Sequence, residues 1–322
     1  MRPAKFPSAL LPGSGELGCA PPDPPMNRSA TAFLLTLASL PAQRPEATFE
    51  WQKRTTTITY GAVPVGKHGL SELPVGETWR LGFNEASTMQ LSMPMFAGDA
   101  WVAPGHYRIG LVRTDETHCN IAVAGSQQAL GSSEGRVPGE IKKLAKPGKK
   151  LSIEWAKNGA PVAGNQSAKI VVQFGENEWQ GEVLLLGNKT VNVPGGKLAV
   201  FSVPAQRIDA REKEPVPIAV LSKGKDGDQG SWNLVLGKSD VHLVPWMEAP
   251  TEQFGFGAIT PPDEKQKTTG TVTASPLGTD AALEAMELRE SSLAKGELRL
   301  VVACGKESFE IRVPEPKVKS GK

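Results

Sequence analysis

Two stretches decide the fold: Lys169-Ile170-Val171-Val172-Gln173-Phe174-Gly175-Glu176-Asn177-Glu178-Trp179 and Arg299-Leu300-Val301-Val302-Ala303-Cys304-Gly305-Lys306-Glu307-Ser308-Phe309. They align without a gap. Each is a β-branched or aliphatic run, a glycine, and a second run that reaches an aromatic residue four positions after that glycine. Glycine adopts the left-handed backbone that a tight hairpin turn requires, so each stretch predicts a β-hairpin. Two such hairpins in one chain predict an internal repeat.

Two further pairs extend the repeat. Gly98-Asp99, Val102 and Pro104-Gly105 pair with Gly187-Asn188, Val191 and Pro194-Gly195. Asn120-Ile121-Ala122-Val123 pairs with Asn233-Leu234-Val235-Leu236. Together they predict two related lobes, 46–183 and 184–314, followed by a disordered tail at 315–322. Strand signals recur between them. Met89-Gln90-Leu91-Ser92-Met93 alternates apolar and polar, which puts one face inward. Thr55 to Tyr60, Tyr107 to Val112, Leu151 to Trp155, Glu182 to Leu186, Leu198 to Val203, Ile218 to Leu221 and Phe309 to Val313 read the same way. Only Ile141 to Ala145 and Asp280 to Met286 have helical character. The chain carries 34 glycines and 27 prolines, which favours short strands joined by turns over helices. The expected fold is all-β, with two β-sandwich-like lobes and very little helix. The charged segments Arg207 to Pro215 and Gly224 to Gly230 read as surface loops of the second lobe.

Residues 1–42 read as leader and signal peptide. From Met26, Asn27-Arg28 precede the apolar run Ala30 to Leu40 and the small residue Ala42. This is a signal-peptide pattern with cleavage after Ala42 and an upstream extension at 1–25. It implies a periplasmic or extracellular protein. The apolar run falls short of the roughly 20 residues that span a bilayer, so no membrane span is expected after signal removal. A net charge of +2, with no concentrated basic patch, excludes a nucleic-acid-binding role. Cys119 and Cys304 fall in different lobes, which argues against a disulfide between them.

Motif letters occur without their context. Gly13-Ser14-Gly15-Glu16-Leu17-Gly18 sits between prolines, not between a strand and a helix. Gly131-Ser132-Ser133-Glu134-Gly135 leads into Arg136-Val137-Pro138, which starts no helix. His68, His106, His118 and His242 lack metal-ligand spacing, although His106 and His118 could face each other across a hairpin. No cofactor site and no metal site is expected.

The densest cluster of functional side chains is Trp79-Arg80-Leu81-Gly82-Phe83-Asn84-Glu85-Ala86-Ser87-Thr88. A loop at a sheet edge would let Arg80 clamp an anion and Glu85 accept a proton or hydrogen bond, with Trp79 as an apolar wall and Asn84 beside them. The structural alternative pairs Arg80 with Glu85. Three functions follow: a binding module with Trp79, Arg80, Asn84, Glu85 and His68 in its site; a hydrolase with Glu85 near His68; or a purely structural lobe pair. The first is favoured, with a small molecule, glycan or envelope protein as partner.

The run Trp79-Arg80-x-Gly82-x-Asn84-Glu85-Ala86-x-Thr88, with Ile58-Thr59-Tyr60, Leu73-Pro74-Val75-Gly76 and Pro104-Gly105-His106-Tyr107, resembles the bacterial family called domain of unknown function 2911. The resemblance covers residues 48–123 best and implies an exported, β-rich protein with no assigned activity. This chain departs from the family at Gly61 to His68, where only Lys67-His68 keeps the expected basic character.

Overall fold

A computed structural model describes residues 44–65, 70–82, 86–125, 135–224, 230–246, 268–278 and 282–316. The first sheet contains β1 (Glu46–Trp51), β2 (Arg54–Thr59), β3 (Thr78–Trp79), β4 (Ser87–Leu91), β5 (Met95–Ala97), β6 (Ala100–Val102), β7 (Gly105–Arg113), β8 (His118–Gly125), β9 (Gly135–Lys143), β10 (Ser152–Lys157), β11 (Gln166–Phe174) and β12 (Asn177–Leu185). The second contains β13 (Asn188–Val193), β14 (Gly196–Phe201), β15 (Val216–Lys223), β16 (Gly230–Leu236), β17 (Asp240–Trp246), β18 (Thr268–Pro276), β19 (Leu283–Ala294), β20 (Glu297–Gly305) and β21 (Glu307–Pro314).

The main path of the first sheet is β1-β2-β4-β7-β8-β9-β12-β11-β10. That of the second is β13-β14-β15-β16-β17-β18-β21-β20-β19. Both run as a six-strand meander whose last strand pairs with the ninth strand of the path, followed by the eighth and the seventh. The two lobes are therefore similar in topology as well as composition. Each sheet curls until its ends meet. β1 lies beside β10, where Phe49 packs on Trp155 at 5.7 Å. β13 lies beside β19, and Met286 N–H donates to the Val203 carbonyl at 2.8 Å. Two-layer packing is thus achieved by one curled, nearly closed sheet per lobe.

Alternation supplies the cores. β11 alternates buried and half-buried residues along its length. Ala168, Ile170, Val172 and Phe174 point into lobe 1, and their counterparts Leu298, Leu300, Val302 and Cys304 point into lobe 2. Burying an aliphatic side chain of this size contributes about 1.5–3 kcal/mol before entropy is counted. Gly175 (φ 63°) and Gly305 (φ 57°) open the two hairpin turns, and neither following residue has positive φ. That is the II′ pattern, whose twist matches the strands.

The other repeat pairs need correction. Gly98–Gly105 covers β6, which lies off the main path, whereas Gly187–Gly195 covers β13, whose counterpart is β1. Asn120–Val123 lies in β8, fifth on its path. Asn233–Leu236 lies in β16, fourth on its path, and the true counterpart of β8 is β17. The expected helices are also strands. Ile141–Lys143 pairs with Asn177–Trp179 in β9–β12, and Leu283–Met286 begins β19. Long-range ladder bonds outweigh the weak helix preference of these residues. Arg207 to Pro215 is not a plain surface loop. It contains α1 (Ala205–Asp209) and a 3₁₀ turn at Ala210–Glu212, with Ile208 buried and the Arg211 guanidinium stacked 4.8 Å over Phe309.

One short strand joins the lobes. β5 pairs with β12 through Met95↔Leu185, Phe96↔Leu184 and Ala97↔Val183. Met95 and Ala97 enter the lobe 1 core, while Phe96 enters the lobe 2 core. Trp101 of β6 packs between Phe96 (5.7 Å) and Phe201 (5.3 Å). Arg207 lies 4.6 Å over Phe96 and reaches the Gly98 carbonyl and the Asp99 carboxylate, each at 2.8 Å.

Candidate functional site

Trp79 and Arg80 sit at the end of lobe 1 opposite the lobe junction. Trp79 pairs with Leu111 through β3–β7 and stacks on Phe174 at 5.0 Å. It is half-buried against the core and serves as a wall of the lobe. Arg80 is exposed, and its carbonyl accepts from Ser87 N–H at 3.0 Å. The bend in this segment spans Leu81 and Gly82, and its left-handed residue is Leu81. Leu81 is fully buried at φ 51°, a left-handed conformation that costs a non-glycine residue about 1 kcal/mol or more. Ser87 Oγ holds the turn by donating to the Leu81 carbonyl. Asn84, Glu85 and His68 lie outside the described residues, as do the Gly13–Gly18 motif and Gly131–Glu134.

The described histidines, His106, His118 and His242, do not converge. His106 pairs with Gln90 at the start of β7, while His118 begins the antiparallel β8, so they occupy opposite ends of that hairpin. His118 Nδ1 bonds Asp115 at 2.9 Å. The Thr117 backbone N–H and the His118 side chain together pull the Asp115 carboxyl down to about pKa 2. His242 Nε2 lies 2.9 Å from Asp240, and its Nδ1 lies 3.3 Å from Thr269 Oγ1. Among the described residues, no group of three or more His, Cys, Asp or Glu side chains could hold a metal ion.

Both described thiols are free and buried. Burial pushes Cys119 up to about 11 and Cys304 up to about 12, so neither supplies a thiolate at neutral pH. Asn165 and Asn188, which open the Asn-X-Ser/Thr triplets Asn165-Gln166-Ser167 and Asn188-Lys189-Thr190, both have structural partners. Asn165 is buried, donates to the Ser202 carbonyl at 2.7 Å and accepts from Gly187 N–H at 3.2 Å, bridging the lobes. The Asn188 side-chain oxygen accepts from Arg54.

A second region, on the outer face of lobe 1, holds an open concavity. A glycine pair forms part of its floor. Gly139 of β9 sits opposite Gly181 of β12. On the inner side the Trp179 indole lies flat on both, and an added Cβ would approach the ring to 2.5 Å at Gly139 and 2.4 Å at Gly181. Trp179 is fully buried and its Nε1 donates to the Cys119 carbonyl at 2.8 Å. On the outer side of the same pair lies an open groove of about 290 Å³, lined by Pro138, Glu140, Lys142, Lys169, Gln180 and Glu182 as well as the glycines.

The charges in the groove balance. Lys142 Nζ lies 3.7 Å from Glu140, and Lys169 Nζ lies 3.5 Å from Glu182. Asn158 Nδ2 donates to Glu182 at 2.9 Å. These residues come from three strands, and the sequence reading singled out only Lys169 among them, as part of the repeat. The available signal was mid-strand glycine, which marks a close approach of another group to the backbone.

No family model, no curated protein and no solved structure matches this chain.

Proposed function

We propose that this chain is an exported, non-catalytic binding module, periplasmic or extracellular, with its recognition surface on lobe 1 and a small molecule, glycan or envelope protein as partner. The observation that carries the reading is the outer groove of lobe 1, in which both carboxylates already face an ammonium group. Proton-transfer chemistry calls for two titratable groups driven apart by their surroundings. A charge-balanced, hydrogen-bonding surface suits recognition instead. Export is supported by the Met26–Ala42 pattern. The resemblance to the domain of unknown function 2911 points the same way.

The structural reading has its own support in the two-faced strand β5, which fuses the lobes through Phe96. The hydrolase alternative depends on Glu85 and His68, both outside the described residues. Thermal-shift screening of the 43–322 protein, followed by amide chemical-shift mapping, separates these readings. A ligand that binds only the folded state raises the melting temperature. The binding reading expects such a ligand to move the amides of Glu140, Gln180 and Glu182. If small molecules, glycans and envelope proteins all leave melting and spectra unchanged, the structural reading replaces it.

A further inference from the structure

We infer that the outer groove of lobe 1 binds a neutral oligosaccharide segment. The inference rests on the binding reading above and specifies its ligand class. Two glutamates and two lysines line the groove, so their formal charges cancel. A site with no net charge gives little Coulomb attraction to a phosphate, a nucleic acid or a cationic peptide. Its lining is polar, whereas sites for apolar small molecules are lined mainly by hydrophobic and aromatic side chains. No aromatic residue lines it, so it offers no platform for stacking a base or an aryl ring.

The groove offers alternating donors and acceptors with capacity to spare. A lysine ammonium carries three N–H donors, and a carboxylate accepts at two oxygens with about four lone-pair sites. Beyond the Lys142–Glu140 and Lys169–Glu182 contacts and the Asn158 amide on Glu182, these partly exposed groups keep donor and acceptor capacity toward solvent. Gln180 adds an amide that both donates and accepts. Across the sheet these residues stand in rows, with Glu140 opposite Gln180 and Glu182 opposite Lys169. A ligand bearing many hydroxyls, each donor and acceptor at once, satisfies such a surface without introducing charge. At about 290 Å³ the groove lies near the lower end of small-molecule sites, roughly 300–1,000 Å³. It holds a short segment of a longer chain. With no stacking contribution, single-site affinity falls in the millimolar range, and repeated units on a polymer raise it through multivalency.

The test is an amide chemical-shift titration of the 43–322 protein with maltohexaose, cellohexaose and chitohexaose. An anionic oligogalacturonide and an oligolysine peptide serve as charged probes. The inference expects at least one neutral hexasaccharide to shift the amides of Glu140, Lys142, Gln180 and Glu182. It expects the same apparent Kd at about 50 and about 500 mM NaCl, because there is no net charge to screen. The double variant Gln180→Ala/Glu182→Gln, confined to the outer face, should weaken binding about tenfold and leave the remaining spectrum in place. If a charged probe shifts the groove amides and no neutral saccharide does, the oligosaccharide assignment falls while the binding reading stands. If a neutral saccharide binds but shifts other amides, or the double variant binds it unchanged, the assignment of this groove falls. If no probe, and no ligand from the wider screen, moves the groove, both readings fall.

Discussion

Replacing Phe96 with alanine removes a side chain of the first sheet that is buried in the lobe 2 core. Phe96 is 5% exposed, sits edge-on to Trp101 and lies beneath the Arg207 guanidinium. Truncating a buried phenylalanine costs about 3–5 kcal/mol. Its place at the lobe junction, where the hairpin can settle into the space, puts the expected loss near the lower figure, about 3 kcal/mol. The loss is not shared equally. Met95 and Ala97, on the opposite face of the same strand, keep their places in the lobe 1 core, so lobe 1 should hold while lobe 2 weakens. Urea unfolding followed by far-UV circular dichroism and tryptophan fluorescence checks this. The wild type should unfold in one transition. Phe96→Ala should unfold in two, with the earlier one carrying about half the surface-dependent slope. A single transition displaced by less than about 1 kcal/mol would refute the idea that β5 couples the lobes.

Three further outcomes follow. Lys223 is buried and ion-paired with Glu315, and desolvation lowers its pKa; Glu315→Gln leaves that charge without its partner and should cost about 1–3 kcal/mol, whereas Lys223→Met should be nearly neutral, as measured by chemical denaturation. Thr56 is fully buried and its hydroxyl has no partner among the described residues, while Leu198 fills the corresponding place in lobe 2; Thr56→Val should raise stability by about 1 kcal/mol. Asp115 has a folded pKa of about 2 against an ordinary 3.8, so its stabilisation is complete above the higher value and disappears as pH falls through the lower one. Asp115→Asn should therefore reduce stability at neutral pH and flatten its decline between those two values, seen as a melting temperature that varies less with acidification.

Much of the fold was legible in the alternation and in two glycines. Val171-Val172 and Val301-Val302 occupy corresponding strands because both hairpins must turn at a residue that tolerates positive φ. The weaker pairs misled because strand-turn-strand units look alike. Asn120–Val123 matches Asn233–Leu236 in letters while the topology matches it to β17. Ile141-Lys142-Lys143 reads as helical because lysine tolerates a helix and nothing local announces that β9 pairs with a strand some forty residues later. β5 was missed for a different reason. Both of its faces are buried, one in each lobe, so Met95-Phe96-Ala97 shows no alternation. The tryptophan-arginine segment read as a loop at a sheet edge, whereas Trp79 lies in β3 paired with β7 and the following backbone depends on Leu81 in a left-handed conformation that residue type does not announce. The groove was illegible because Glu140 and Lys142 reach Gln180 and Glu182 only through the non-sequential β9–β12 pairing, although Lys169 and Glu182 already meet across the β11–β12 hairpin.

That pairing creates both the groove and the kinship of the lobes, and interstrand nuclear Overhauser effects report on it directly. The account predicts cross-strand contacts linking Glu140 with Gln180 in lobe 1 and Val272 with Ile311 in lobe 2. Backbone ladder pairing of β9 with any strand other than β8 and β12, or a β18 that does not pair with β21, would contradict it.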